Sequence, residues 1–152
     1  MKRITLSLPA PYVGLRPFEE KDALLFFGRD AHVRDLLAKL ENKQRFISVI
    51  GASGSGKSSL VRAGLIPALH RGALASAGHC WQVHITKPGD APLQHLVEKL
   101  TEDPRWVNGD NLAASMASLR AQFAINPLAL TEQYRERAKL FDGEALLLVV
   151  DQ

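Results

Sequence analysis

The pattern of hydrophobic and polar positions along the chain predicts short strands separated by helices. Residues 45–50, RFISVI, and residues 145–150, ALLLVV, are apolar runs typical of buried parallel strands. Residues 81–86, WQVHIT, alternate apolar with polar side chains, which predicts a strand with one wetter face at a sheet edge. The sequence therefore predicts three strands, two of them buried on both faces.

Apolar residues at helical spacing predict helices before and between these strands. A short helix is expected near residues 18–27, and longer helices over 31–41 and from 57 onward. Pro67 should kink or end the helix that starts at 57, because proline removes a backbone donor, and Gly72 should stop it. The residues expected to start helices are Asp30, Asp90, Asn111 and Thr131. Strands alternating with helices predict an α/β fold with a parallel sheet, where ligands bind beyond the carboxyl ends of the strands.

Composition excludes several classes of protein. The chain has 152 residues, of which 46% are hydrophobic and 23% charged, as expected for a globular domain with a core. The net charge of +3 is spread without a basic run, so there is no strong signal for nucleic acid. The single cysteine, Cys80, cannot form an internal disulfide, and no apolar run reaches the roughly 18 residues of a membrane helix. A cytoplasmic protein without a membrane partner is expected.

The stretch GASGSGKSS, residues 51–59, matches the phosphate-loop pattern G-x-x-x-x-G-K-[ST]. Glycines let backbone amides turn onto phosphate oxygens, and the helix that follows adds its own unpaired amides. Lys57 is expected to reach the β- and γ-phosphates, as a catalytic residue, and the Ser58 hydroxyl to bind Mg²⁺. The residues expected to hold the nucleotide in this loop are Gly51, Ser53, Gly54, Ser55, Gly56, Lys57, Ser58 and Ser59. The alternative, a glycine-rich turn without a ligand, is disfavoured because a predicted strand precedes the loop and a helix follows it.

Asp151 follows the apolar run 145–150, which is the Walker B arrangement. A carboxylate in this position would hold Mg²⁺ directly or through water, so Asp151 is a candidate catalytic and metal-binding residue. By itself, an aspartate at a strand end is as often a turn or capping residue. The phosphate loop in the same chain favours the metal role.

Four segments, taken in order, resemble the N-terminal part of a bacterial STAND-type NTPase, in the branch called novel STAND NTPase. They are PYVGLRPFEEKDALLFFGRD, VIGASGSGKSSLVRAGLIPAL, KPGDAPLQHL and LLLVVDQ. The resemblance implies a three-layer P-loop NTPase fold of the ASCE and AAA+-like kind, with a parallel sheet. It also implies ATP or ADP and Mg²⁺ as ligands, in a signal-transduction switch that hydrolyses ATP. Downstream helical, winged-helix and sensor or effector domains, and a homo-oligomer, are the implied partners.

The resemblance further implies a role for the segment ahead of the phosphate loop. Residues 1–29 would be a lead-in that contributes to the nucleotide pocket, and 30–152 the NTPase core. Gly28 and Arg29 occupy the place where relatives approach the base and ribose, and Phe27 would pack nearby. For Arg29 a plain salt bridge is nearly as good an interpretation. Phe26 and Phe27 are expected in the core rather than stacked on adenine.

The chain also departs from the family pattern. Relatives usually continue after VVDQ with a phenylalanine and acidic residues, one of them a glutamate that orients the attacking water. The strand that lies between the phosphate-loop strand and the Walker B strand in this class is also expected beyond residue 152. The sequence is therefore interpreted as a fragment truncated after the Walker B strand. It should bind nucleotide weakly, hydrolyse it poorly, and leave Ile47 and Val49 without a neighbouring strand.

Other functions remain open on the sequence alone. An AAA+-like ATPase that works in rings and a nucleotide-binding module without turnover are the alternatives, while a small-molecule kinase would not explain the GLRPF lead-in. ATP is expected rather than GTP, since the sequence lacks the guanine-reading N-K-x-D motif. The five histidines and Cys80 show no zinc-binding spacing and are interpreted as surface or core residues.

Overall fold

The computed structural model describes residues 14, 16–74 and 80–151, which belong to two compact units. The first unit contains the described residues up to 74, and the second contains those from 80 onward. The phosphate loop belongs to the first unit, and Asp151 belongs to the second.

The first unit is built from a short 3-10 helix, one α-helix and one long helical run. The 3-10 helix is Glu20–Leu25, as expected for the lead-in, and α1 is Asp30–Glu41. The helical run begins as α2, Lys57–Ser59, continues as a π-helical turn, Leu60–Leu65, and ends as α3, Ile66–His70. Its core consists of buried apolar side chains from α1, from the run and from the segment after it: Leu36, Leu60, Leu65, Ile66, Leu69 and Leu74.

Pro67 does not end the helix, which corrects one of the two expectations for that residue. Pro67 lies near the start of α3, directly after the π-helical turn, and it is itself buried. Inside a continuous helical run proline removes a backbone donor, and the π-helical turn that ends at Leu65 changes the hydrogen-bond spacing at that point. Arg71 caps the run, and Gly72, at φ 77°, donates its amide to the Leu69 carbonyl at 2.9 Å. The predicted stop at Gly72 is therefore confirmed.

The strand predicted over residues 45–50 is absent, which is the largest correction to the fold. The segment forms no strand, and Phe46 and Ile50 are 88% and 89% exposed rather than buried. Ile47 and Val49 are half-buried. A parallel strand acquires its backbone hydrogen bonds only from a neighbour, and none of the described strands pairs with this segment.

The second unit is α/β, with a small parallel sheet of two strands. Its elements in order are β1, Trp81–Thr86; α4, Pro92–Thr101; a 3-10 turn, Pro104–Trp106; α5, Leu112–Ile125; α6, Ala129–Glu136; and β2, Ala145–Val150. The strands pair from Trp81 opposite Ala145 to Thr86 opposite Val150. The predicted strands at 81–86 and 145–150 and their parallel direction are therefore confirmed.

The core of the second unit is aromatic. Trp106 and Phe141 are fully buried, with ring centroids 5.6 Å apart, and Tyr134 stacks on Phe141 at 5.1 Å. The Arg105 guanidinium lies 4.9 Å from the Phe141 ring and is paired with Asp103 and Glu144. Through these contacts the turn after α4 packs against the segment that precedes β2.

The polar face of β1 is buried, which corrects the expectation of a wetter face. Gln82, His84 and Thr86 are 6–7% exposed, whereas the apolar residues between them are only half-buried. The side-chain amide Nε2 of Gln82 donates to the Asp103 carboxylate at 2.9 Å. A ring nitrogen of His84 lies 3.1 Å from the Lys99 carbonyl. Burial lowers the pKa of His84. Polar partners at the end of α4 and just beyond it satisfy Gln82 Nε2 and His84 Nδ1, whereas the buried Thr86 hydroxyl has no hydrogen-bond partner among the described residues.

Three predicted helix starts are displaced by one or two residues. Asp30 is the first residue of α1, whose cap is Arg29, and Ala91 rather than Asp90 caps α4, where Pro92 takes the first position. The helix expected from Thr131 already begins at Ala129. Asn111 is confirmed as a cap, because its side chain accepts the Ala114 amide at 2.9 Å.

No helix in the described part of the chain combines the length and the apolar character that crossing a membrane requires.

Candidate phosphate-binding site

The loop at residues 51–56 depends on its glycines for its shape. Gly54 and Gly56 have φ of 74° and 84°, the left-handed region that other residues rarely adopt. A Cβ added to either would meet no atom within 4 Å, so the space in front of these two backbone positions is open. At Gly51, by contrast, a Cβ would lie 2.9 Å from the Ser55 hydroxyl oxygen. Gly51 therefore permits close packing against Ser55, and Gly54 and Gly56 permit the turn.

Several backbone amides of the loop are available as donors. The Ser55 amide closes a turn onto the Ala52 carbonyl at 3.2 Å. In the described residues, the amides of Ser53, Gly54 and Gly56 make no hydrogen bond. Successive amides of this kind form a concave site that suits an anion.

Lys57 folds back over the loop that precedes it. Its ammonium donates to the carbonyls of Gly51 and Ala52 at 3.0 and 2.9 Å. Lys57 and Ser58 are half-buried, while Ser59 is only 8% exposed. The structure therefore brings the lysine charge and the predicted loop residues together in one unit.

Of the lead-in residues predicted near the nucleotide, Arg29 lies at the loop. Its guanidinium donates to the Ser55 carbonyl at 3.1 Å, and Gly28 has φ of 77°, so the chain turns sharply just before α1. Phe27 is 79% exposed, which contradicts the expectation that it lies in the core. Phe26, which is half-buried, contacts Phe18 with ring centroids 6.0 Å apart. Two adjacent aromatic residues therefore have different environments.

The lead-in is also attached to the helical run, through contacts that the sequence did not reveal. The Phe18 amide donates to the Ser59 hydroxyl at 3.0 Å, although the two residues are 41 positions apart. Arg62 pairs with Glu19 at 2.8 Å, and His70 lies 2.7 Å from Glu20. The charged residues of the GLRPFEE stretch were the available signal, but their partners could not be identified from spacing.

An ion pair lies within the described part of the lead-in. Both guanidinium nitrogens of Arg16 reach the Asp22 carboxylate, at 2.6 and 3.2 Å. The hydrogen bonds from Arg16, together with one from the Glu19 amide, lower the pKa of Asp22 to about 2. Asp22 therefore stays ionised throughout the ordinary pH range.

Asp151 is placed as predicted, directly after β2. Its amide donates to the Thr86 carbonyl at 2.9 Å, which continues the parallel ladder past the last paired residues. The residue is half-buried. Asp151 therefore lies at the carboxyl end of the sheet, the edge where α/β proteins hold ligands.

The remaining candidate ligands do not assemble into a metal cluster. In the described ranges 16–74 and 80–151, no group of three or more histidine, cysteine, aspartate or glutamate side chains could hold a metal ion. Cys80 is exposed as a free thiol.

Comparison with known proteins gives one match. The family described as Novel STAND NTPase 1 matches residues 11–152, nearly the whole chain, and the chain belongs to that family. No curated protein and no solved structure matches it.

Proposed function

We propose that this member of the Novel STAND NTPase 1 family binds Mg²⁺·ATP and acts as a regulatory switch. Its α/β arrangement would be part of a three-layer P-loop NTPase fold. The observation that carries the proposal is the geometry of residues 51–57. Left-handed glycines, open space in front of them and unpaired amides lie beside a lysine ammonium. These are the features that a triphosphate requires.

Each loop residue has a distinct proposed role. The amides from Ser53 to Ser59 would surround the β-phosphate, and the Lys57 ammonium would exchange the Gly51 and Ala52 carbonyls for the β- and γ-phosphates. A charged phosphate is a stronger acceptor for an ammonium than a neutral carbonyl. Lys57 is thus held close to its point of action.

The Ser58 hydroxyl and the Asp151 carboxylate are each proposed as a Mg²⁺ ligand, the first from the phosphate-loop motif and the second from the Walker B arrangement. Both are hard oxygen donors, the kind of ligand that Mg²⁺ prefers. When bound, the ion would neutralise the charge that develops on the transferred phosphoryl group. The location of Asp151 at the carboxyl end of β2 supports its role.

Arg29, Gly28 and Phe27 are proposed to contact the base and ribose. Support comes from the position of Arg29 on the loop carbonyl of Ser55 and from the exposure of Phe27, which leaves its ring available to a ligand. Aromatic faces and arginine planes both stack on nucleobases. The choice of ATP over GTP rests on the family resemblance.

The switch function also rests on the resemblance. In this proposal, nucleotide binding and hydrolysis change how the domain packs on helical, winged-helix and sensor or effector domains, and so change oligomerisation. An ATPase assay run beside the binding measurement separates a switch with turnover from a module that only binds.

The test is calorimetric titration with Mg²⁺·ATP and Mg²⁺·GTP. We expect ATP binding that Lys57→Ala weakens by roughly 10-fold to 100-fold, the effect of losing hydrogen bonds to a charged group. Lys39→Ala is the matched control, because Lys39 lies in the same unit and is paired with Asp35 on the surface of α1. Equal affinity of the wild type and Lys57→Ala, or no binding by the folded wild type, would overturn the proposal.

A further inference from the structure

The Ser59 side chain is occupied by a contact inside the protein. Its hydroxyl accepts the Phe18 amide at 3.0 Å, and the residue is 8% exposed. Ser59 lies only two residues after Lys57, in the first turn of the helical run. The hydroxyl that follows the phosphate-loop motif therefore faces the lead-in.

Two charged contacts extend this attachment along the same helical run. Arg62 pairs with Glu19 at 2.8 Å, and the Arg62 side chain is 16% exposed. His70 lies 2.7 Å from Glu20 near the end of the run, where both side chains are more exposed. Because solvent screens exposed pairs strongly, the buried Ser59 contact is the best protected of the three.

Apolar packing holds the lead-in to the helical run as well. A Cβ added to Gly64 would lie 2.7 Å from Val33 and 3.2 Å from Phe26. The lead-in and α1 therefore approach the run closely at Gly64. The attachment is continuous from the first turn of the run to the π-helical turn.

The other end of the lead-in reaches the loop itself. Arg29 donates to the Ser55 carbonyl at 3.1 Å. Arg29 and Phe18 therefore contact the two ends of the short stretch from Ser55 to Ser59, which contains the motif Gly-Lys-Ser. A change in the lead-in that loosens both contacts would remove restraints at both ends of this stretch.

We propose that Ser59 is a positioning residue whose hydroxyl couples docking of the lead-in to occupancy of the phosphate loop. The inference rests on the proposed function, because it concerns the affinity of the same loop. In this proposal the Ser59 hydroxyl acts through the Phe18 amide, while the Ser59 backbone amide keeps its proposed place beside the phosphate. A nucleotide that orders residues 55–59 also favours the docked lead-in, and by linkage the docked lead-in favours nucleotide by the same factor.

The first test measures affinity in four serine variants, one of them a control. We expect Ser59→Ala to weaken ATP binding about fivefold or more, the lower end of typical coupling between sites, and to do so equally with and without Mg²⁺. Ser59→Thr keeps the hydroxyl and should restore the affinity. Ser58→Ala should weaken binding mainly when Mg²⁺ is present, since Ser58 is a proposed ligand of the ion. As a control, Ser48→Ala, at an exposed serine of the same unit, should bind as the wild type does.

The second test uses the wild-type protein and so does not depend on a variant that folds. Hydrogen exchange at the Phe18 amide is measured with and without saturating Mg²⁺·ATP. We expect ATP to slow this exchange by about the factor that Ser59→Ala loses in affinity. A hydrogen bond that is merely structural would be slowed by ATP no more than a reference amide of the same unit, such as that of Gly72, which donates to the Leu69 carbonyl.

The outcomes separate this inference from the proposed function. If the wild type binds ATP and Lys57→Ala does not, but Phe18 exchange is unchanged by ATP, the coupling is wrong and the proposed function stands. Wild-type affinity in Ser59→Ala would likewise overturn the coupling alone. If the folded wild type binds no ATP, the proposed function fails first.

Discussion

Two apolar segments of the same length have different fates in this protein. Residues 145–150 form β2 and pair with β1 over six positions. Residues 45–50 have an equally strand-like sequence but pair with no strand in the described part of the chain, and Phe46 and Ile50 are almost fully exposed. An apolar, β-branched segment becomes a strand only where a neighbour supplies its hydrogen bonds. The difference lies in pairing, which is a property of the surroundings and not of the segment.

The two segments should differ most in the rates at which their backbone amides exchange hydrogen. The amides of Ala145 and Asp151 donate to Cys80 and Thr86, at the two ends of the ladder. We expect them to exchange at least ~100-fold more slowly than the amides of Ile47 and Val49, because exchange from a paired amide requires local opening. Similar rates in the two segments would mean that residues 45–50 are paired in solution.

Substitutions in the two regions should have very different effects on the free energy of unfolding. Trp106→Ala removes a fully buried ring that packs on Phe141, so it should cost about 3–5 kcal/mol in the free energy of unfolding. Phe46→Ser changes a side chain that is 88% exposed and should stay within about 0.5 kcal/mol of the wild type. Urea unfolding measures both. A large loss for Phe46→Ser would contradict the exposure of that ring.

Gly64 is a tightly packed residue of the first unit. Gly64→Ala would place a Cβ 2.7 Å from Val33, and such overpacking costs about 1–3 kcal/mol. Alanine gains up to about 1 kcal/mol in helix propensity, so a net loss of stability is expected.

The double variant Val33→Ala/Gly64→Ala is the control for this prediction. It makes room for the added methyl group, so its loss should be smaller than the sum of the single losses. Strict additivity in urea unfolding would show that the two residues are not in contact.

The smallest expected effect is a dependence of stability on pH in the lead-in. Hydrogen bonds from Arg16 lower the pKa of Asp22 from 3.8 to about 2 in the folded protein. The unfolded state therefore binds a proton first as the pH falls. Stability from this group is complete above about pH 4 and is lost as the pH decreases toward 2. Asp22→Asn should flatten this part of the stability curve, and an unchanged slope would show that other carboxylates cause it.

Local features of the fold were predictable where one segment contains all the information. The 3-10 helix, α1, the Asn111 cap and β2 follow from spacing and capping chemistry within a few residues. The burial of the polar face of β1 was not predictable, because it depends on Asp103 and the Lys99 carbonyl, 15 to 21 positions away. The exposure of Phe27 beside the half-buried Phe26 depends in the same way on a distant contact, since Phe26 approaches Gly64 in the helical run.

The candidate site shows the same division. The phosphate-loop residues and Asp151 were identified from a contiguous motif, and their roles stay predictions. The partners of the lead-in were not identified, since Phe18 and Ser59 are 41 residues apart and neither has an unusual sequence context. A motif records chemistry that a ligand needs, whereas a hydrogen bond between distant segments leaves no periodic trace in the sequence.

The unpaired segment at 45–50 has a practical consequence for handling the protein. An apolar segment with open backbone groups is a template for assembly between molecules, particularly at high concentration. Lys43 precedes the segment and Arg45 is its first residue, and both are exposed, so repulsion between their charges on different molecules should oppose such assembly. Added salt screens that repulsion. Preparations should therefore be most prone to precipitation when they are concentrated in high-salt buffer.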